Sequence, residues 1–147
     1  MKRIAAGMLG LAMMMCIVRA DDPVMVTKAA YEMDMAHFGF GPDTVLAAKP
    51  YLAPDLYRAL MKKAKQPVAK GDAPDIEGDV LFDAQDVPDQ YEVGHASISG
   101  NKADVPVSLR YGKEKRRYLV RLVQINGAWE ITDVDYGKDG KLSDLLK

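Results

Sequence analysis

Four aspartates crowd the end of the chain in "DVDYGKDGKLSDLL", residues 133–146. Asp133, Asp135, Asp139 and Asp144, with Gly137 and Gly140 among them, carry the residue types of a calcium loop. An EF-hand loop needs side-chain oxygens at its first, third and fifth positions, glycine at the sixth and a bidentate glutamate at the twelfth. Started at Asp135, the loop has Gly137 at the third position and Leu146 at the twelfth, neither of which can ligate. Started at Asp133, it has Lys138 at the sixth. The same letters read better as the end of a strand, a turn permitted by Gly137 and Gly140, and a closing helix capped by Ser143 or Asp139 that packs back through Leu142, Leu145 and Leu146.

A second acidic stretch, "GDVLFDAQDVPDQY" (78–91), spaces Asp79, Asp83, Asp86 and Asp89 around Gln85 without any metal-ligand pattern. Aspartates so placed bond nearby backbone amides and fix a loop. Asp83, Gln85 and Asp86 are also candidate contacts for a partner or ligand, together with Tyr91, His95 and Trp129. His37 and His95 are the two histidines. A histidine acid or base needs a carboxylate beside it in a pocket, and nothing in the spacing supplies one. No nucleophile elbow, phosphate loop or His-Glu-x-x-His occurs. "KEKRR" (113–117) is a basic cluster expected at a hairpin tip, solvated or facing an acidic partner or lipid headgroups. No catalytic, cofactor-binding or metal residue is assigned, so the chain reads as non-enzymatic and without a cofactor.

The chain opens with "MKRIAAGMLGLAMMMCIVRA". Two basic residues, an apolar run and Val-Arg-Ala form a secretory signal peptide with cleavage expected after Ala20. The run is shorter than the roughly 20 residues that span a bilayer, so no membrane span is expected after cleavage. Met14-Met15-Cys16 lacks the small residues of a lipidation site. Residues 21–147 then hold 17 basic and 21 acidic side chains, a net charge of −4, and no cysteine. That excludes disulfides, a thiol nucleophile and zinc–thiolate sites, and an acidic balance gives no support for nucleic-acid binding. The length suits a single domain with a real core, placed in the periplasm.

The elements that would position these residues fall into two halves. Val26–Phe38 carries an apolar face of Ala30, Tyr31, Met35 and Phe38 at helical spacing. Asp43 is expected to cap a short helix to Lys49, and Pro54-Asp55 to open a third with Leu56, Ala59, Leu60 and Ala64 inward. Gln66–Pro74 reads as a loop. Strands follow: Tyr91–Ser99 with a bulge near Gly94, Ala103–Tyr111 in clean alternation, Tyr118–Ile125, and a last one from Trp129 with a phase change at Thr132-Asp133. Pro106 calls for a free side or a bulge beside it. Asn126-Gly127 marks a hairpin. Helices followed by an antiparallel meander make an α+β fold, with the bulged sheet curled around a helix.

"LFDAQDVPDQY" (81–91), a meander and "NGAWEITDVDYG" (126–137) with a Leu-rich end resemble an uncharacterised family of exported bacterial domains, domain-of-unknown-function family 3828. "YLAPDLYRALMKKA" (51–64) looks like that family's helical half. The resemblance implies a cystatin-like or nuclear-transport-factor-2-like cone. Some cone-shaped relatives are isomerases or dehydratases with an Asp or His inside a cavity, but no motif here places one. The leading expectation is a non-enzymatic periplasmic protein that binds another envelope protein, in one form an immunity-type inhibitor of a toxin. The alternatives are a small-ligand carrier or cone-fold enzyme with a cavity lined by Tyr31, Trp129 or His95, and an envelope-maintenance factor.

Overall fold

The computed structural model describes residues 21–147. The expected signal segment, with Cys16 and the cleavage point after Ala20, lies outside the described residues. Helix α1 (Pro23–Ala36) starts where the Asp22 carboxylate accepts the Val24 N–H at 2.9 Å, satisfying one of the donors a helix start leaves free. Val26, Ala30 and Tyr31 face the core. Helix α2 (Pro42–Ala48) begins one residue before Asp43. Asp43 therefore sits inside the first turn instead of capping it: Pro42 has no N–H to satisfy and takes the opening position. Helix α3 (Pro54–Ala64) buries Leu56 and Leu60, and its Lys63 reaches Asp75 at 2.9 Å.

The sheet is antiparallel, with β1 (Gln90–Val93), β2 (Ser97–Ser99), β3 (Lys102–Tyr111), β4 (Glu114–Ile125) and β5 (Ala128–Asp135). Both β1 and β2 pair with one side of β3, and the order continues β3-β4-β5. The expected strand 91–99 is thus two strands in line, and the break between them is the anticipated bulge. Val93 pairs with Val107 and Ser97 with Asp104, so three residues face two. Gly94 donates to the Pro106 carbonyl at 2.8 Å, and a Cβ on Gly94 would stand 2.9 Å from Pro106 Cγ. Pro106, lacking an N–H, faces this break. The second bulge is at Thr132, because Arg121 pairs with Asp133 but Leu122 with Ile131. Asn126 and Gly127 take φ of 51° and 81° in the β4–β5 turn.

Strand alternation places Val105, Val107, Leu109, Tyr118, Val120 and Leu122 on the buried face. With Ile131 and Val134 they form one core with Ala30 and Tyr31 of α1. The free edge of β5 is covered: Ala53 donates to the Ile131 carbonyl at 2.8 Å, and Asp135 bridges to Lys141. The chain then makes a 3-10 turn (Gly137–Asp139) and helix α4 (Leu142–Leu145), with Leu142 fully buried. Asp144 caps this helix by accepting the Lys141 N–H at 3.2 Å. Ser143, expected as a cap, instead donates its N–H and hydroxyl to Asp133 at 3.0 and 2.8 Å. Asp135 accepts from Gly137 N–H at 2.9 Å and from Arg121 at 3.2 Å. These carboxylates tie strand, turn and helix together.

β4 begins at Glu114, so Lys115, Arg116 and Arg117 lie on a paired strand and not at the hairpin tip, which is Gly112-Lys113. The turn is shorter than the sequence suggested because Gly112, at φ 58°, reverses the chain within two residues.

Candidate functional site

Residues 76–89 have no regular structure, yet they hold buried Ile76, Asp79, Leu81 and Phe82. Irregular backbone inside a fold must find partners for its polar groups. Three buried tyrosines supply them. Tyr136 donates to the Val80 carbonyl at 2.5 Å, Tyr31 to Leu81 at 2.8 Å and Tyr118 to Phe82 at 3.0 Å. Arg116 donates to the next carbonyl, that of Asp83, at 3.2 Å. Four consecutive carbonyls are thus held by side chains from α1, β4 and the end of β5. Burial pushes all three tyrosine hydroxyls above their ordinary range, so they stay neutral donors at any physiological pH. Phe82, fully buried, meets Tyr31 and Tyr91 edge-on at centroid distances of 5.0 and 5.7 Å.

Two of the loop's N–H groups are taken by the Asp79 side chain. Its Oδ1 accepts from Leu81 and Phe82 at 2.9 and 3.0 Å, and its Oδ2 from Gly39 at 3.2 Å. Asp79 and Ala84 close the loop through a two-way backbone bridge. Gly78 is required there: a Cβ would lie 2.6 Å from the Ala84 carbonyl oxygen. Against Asp79 sits Asp34 of α1, 2% exposed. Asp34 Oδ2 receives no hydrogen bond. Burial first, then the hydrogen bond to Asp79 and its charge, push the Asp34 carboxyl up to about 10. It is therefore an acid at neutral pH, with its proton shared toward the Asp79 carboxylate beside it.

The outer side of the clamped loop faces a groove of about 700 Å³. Asp83, Gln85 and Asp86 line it together with Tyr111, Glu114 and Arg116. Asp83 is held at φ 47°, and burial and the nearby Asp139 raise its carboxyl while Arg116 opposes them. Arg116 bonds Glu114 at 2.7 Å and lies 4.7 Å from the Tyr111 ring centre, forming the groove's floor. The structure so brings Asp83, Gln85 and Asp86 to one surface. Tyr91 lies elsewhere, half-buried at a second groove. His95 is exposed at the β1–β2 bulge. Trp129 is 5% exposed and packed in the core, so its ring offers no contact surface. Asp34 and the clamping roles of Tyr118, Tyr136 and Arg116 are not visible in the sequence; the three clamp residues bond backbone carbonyls, which leave no spacing pattern. The apolar pair Leu81-Phe82 inside an acidic run was the one visible signal.

The cone's interior is filled. Tyr31 is fully buried against Phe82, and the internal cavity bordered by Asp34, Val45 and Leu60 measures about 20 Å³. That is room for roughly one water, and among the described residues Tyr31 and Trp129 are packed in the core while His95 is exposed, so the three do not line a common chamber. Among the described residues, no group of three His, Cys, Asp or Glu side chains could hold a metal ion, and no helix is long and apolar enough to cross a membrane.

No family model matches the chain, and no curated protein matches it in sequence. Among solved structures, it is similar to a chain in the crystal structure of the type VI native effector-immunity complex Tae3-Tai3 from Ralstonia pickettii. The TM-score is 0.58 at 22% identity, over 79% of this chain and 95% of that one. The two chains share the fold: N-terminal helices, an antiparallel sheet curled against them, and a short C-terminal helix.

Proposed function

We propose that this protein acts in the periplasm by binding another protein, as an immunity-type inhibitor of an effector that attacks the cell envelope. The observation that carries the reading is the shared fold with a chain of an effector–immunity complex. The filled interior agrees with it, because recognition is left to the outer surface. A loop fixed in advance loses little conformational freedom on binding, which favours tight association. The loop 79–86 is fixed by the tyrosine clamp and the Asp79 network, and it presents Asp83, Gln85 and Asp86 outward. We assign the partner contact to these three. We also propose membership of family 3828, whose Asp-Ala-Gln-Asp core would then be the segment that builds this loop.

Growth protection tests the function. The full chain is co-expressed in a bacterial host with each of a panel of type VI effectors directed to the periplasm. Rescue from at least one effector is expected. Unchanged killing by all of them, with the protein present in the periplasmic fraction, contradicts the proposal.

A further inference from the structure

We infer that the basic groove over one end of β1, β3 and β4 docks an extended, acidic segment of the protein partner. The inference rests on the protein-binding reading above and adds a second contact surface, which adjoins the acidic groove beside the clamped loop at Arg116. This groove has a volume of about 860 Å³. Arg110, Lys115 and Arg117 line it, all three exposed, although residues 21–147 as a whole carry a net charge of −4. Among the described residues none of the three joins an ion pair. Asp89 and Glu92 also line the groove, and Asp89 Oδ2 accepts the Gly112 N–H at 2.6 Å, but neither pairs directly with the three cations.

The strand register makes this concentration of charge costly to the isolated protein. Arg110 and Lys115 are direct cross-strand partners, and Ser108 and Arg117 form the next outward pair. Like charges placed directly opposite destabilise a sheet. Two lining acids stand against four lining cations and neither forms a direct ion pair with Arg110, Lys115 or Arg117, so carboxylates from outside would relieve the excess. Lys115 and Arg117 are alternate residues on one strand, so they repeat at about 7 Å. An extended chain repeats its same-side residues at that interval, so glutamates or aspartates at every second position match them. Met35, Pro88 and Tyr91 give the groove an apolar wall where a single hydrophobic side chain of the partner can anchor. A concave site with Asp89 and Glu92 in its lining suits a shaped segment better than a flat anionic bilayer.

Fluorescence anisotropy with the labelled peptide Glu-Glu-Glu-Phe-Leu-Glu-Glu-Glu tests the inference. The folded protein should bind it at low salt. The double variant Arg110→Glu/Arg117→Glu should bind about tenfold more weakly, the milder Arg110→Gln/Arg117→Gln should fall between, and Lys62→Glu/Lys65→Glu at the end of α3 should match the parent. Circular dichroism checks that each variant is folded, and the glutamine pair serves if the glutamate pair is not. Equal binding by parent and groove variants overturns the inference, as does no binding by the parent. Capture by phosphatidylglycerol vesicles without peptide binding also overturns it, in favour of a membrane surface. A groove variant that loses the peptide but still protects cells fully shows that the groove is not used for the partner and leaves the immunity reading standing. Loss of both with the fold intact supports the inference.

Discussion

Asp34→Asn should change how the protein's stability depends on pH. In the folded protein the Asp34 carboxyl is pushed up to about 10, from 3.8 when free, by burial and by Asp79. Between these values the folded state holds a proton that the unfolded state has released. The contribution of this group is therefore full below pH 4 and is lost as pH rises, at about 1.4 kcal/mol per pH unit. From pH 4 to pH 8 the loss amounts to about 5 kcal/mol. Asparagine keeps an N–H donor for Asp79 and an oxygen in place of Oδ2, but has no proton to lose. The variant should match the parent near pH 4 and be the more stable at pH 8 by roughly that amount. Urea unfolding of both proteins at intervals from pH 4 to pH 9 measures the difference directly. Parallel stability curves would refute the reasoning, because they would mean that Asp34 holds no extra proton in the fold.

Tyr118→Phe removes the donor to the Phe82 carbonyl and leaves that oxygen buried and unpaired. It should cost about 1–3 kcal/mol, with faster hydrogen exchange in residues 79–86 and little change in α3. Trp129→Ala should cost about 3–5 kcal/mol by denaturant titration, because the ring is buried in the core. EDTA should leave the melting temperature unchanged, since Asp133, Asp135 and Asp144 bond to Ser143, Gly137 and Lys141. A large shift on chelation would contradict that assignment.

The sheet was legible in the sequence because period-two patterning marks both the strands and the places where they slip. Alternation from Ala103 to Tyr111 identified β3, and the phase changes near Gly94 and Thr132 identified the two bulges. The positive-φ pair Asn126-Gly127 identified the β4–β5 turn. The clamped loop was only half legible. Its acids suggested backbone anchoring, which Asp79 and Asp89 do. Its burial was hidden, because a segment held by tyrosine hydroxyls on consecutive carbonyls needs no periodicity. Asp34 sits on a largely apolar helix face, where a carboxyl survives only as an acid with a partner 45 residues away in the chain. Trp129, a candidate contact and cavity-lining residue in the sequence, is core because it lies on the inner face of β5. Lys115–Arg117 were expected on a turn because charge runs favour turns, but the glycine at 112 shortens the turn and puts them on the strand.

The most direct measurement is a calorimetric titration of the protein with an effector against which it protects cells. Saturable 1:1 binding is expected, weakened at least tenfold in the folded double variant Asp83→Lys/Asp86→Lys. Absence of binding, or equal binding by parent and variant, would contradict the claim that the clamped loop is the inhibitory surface.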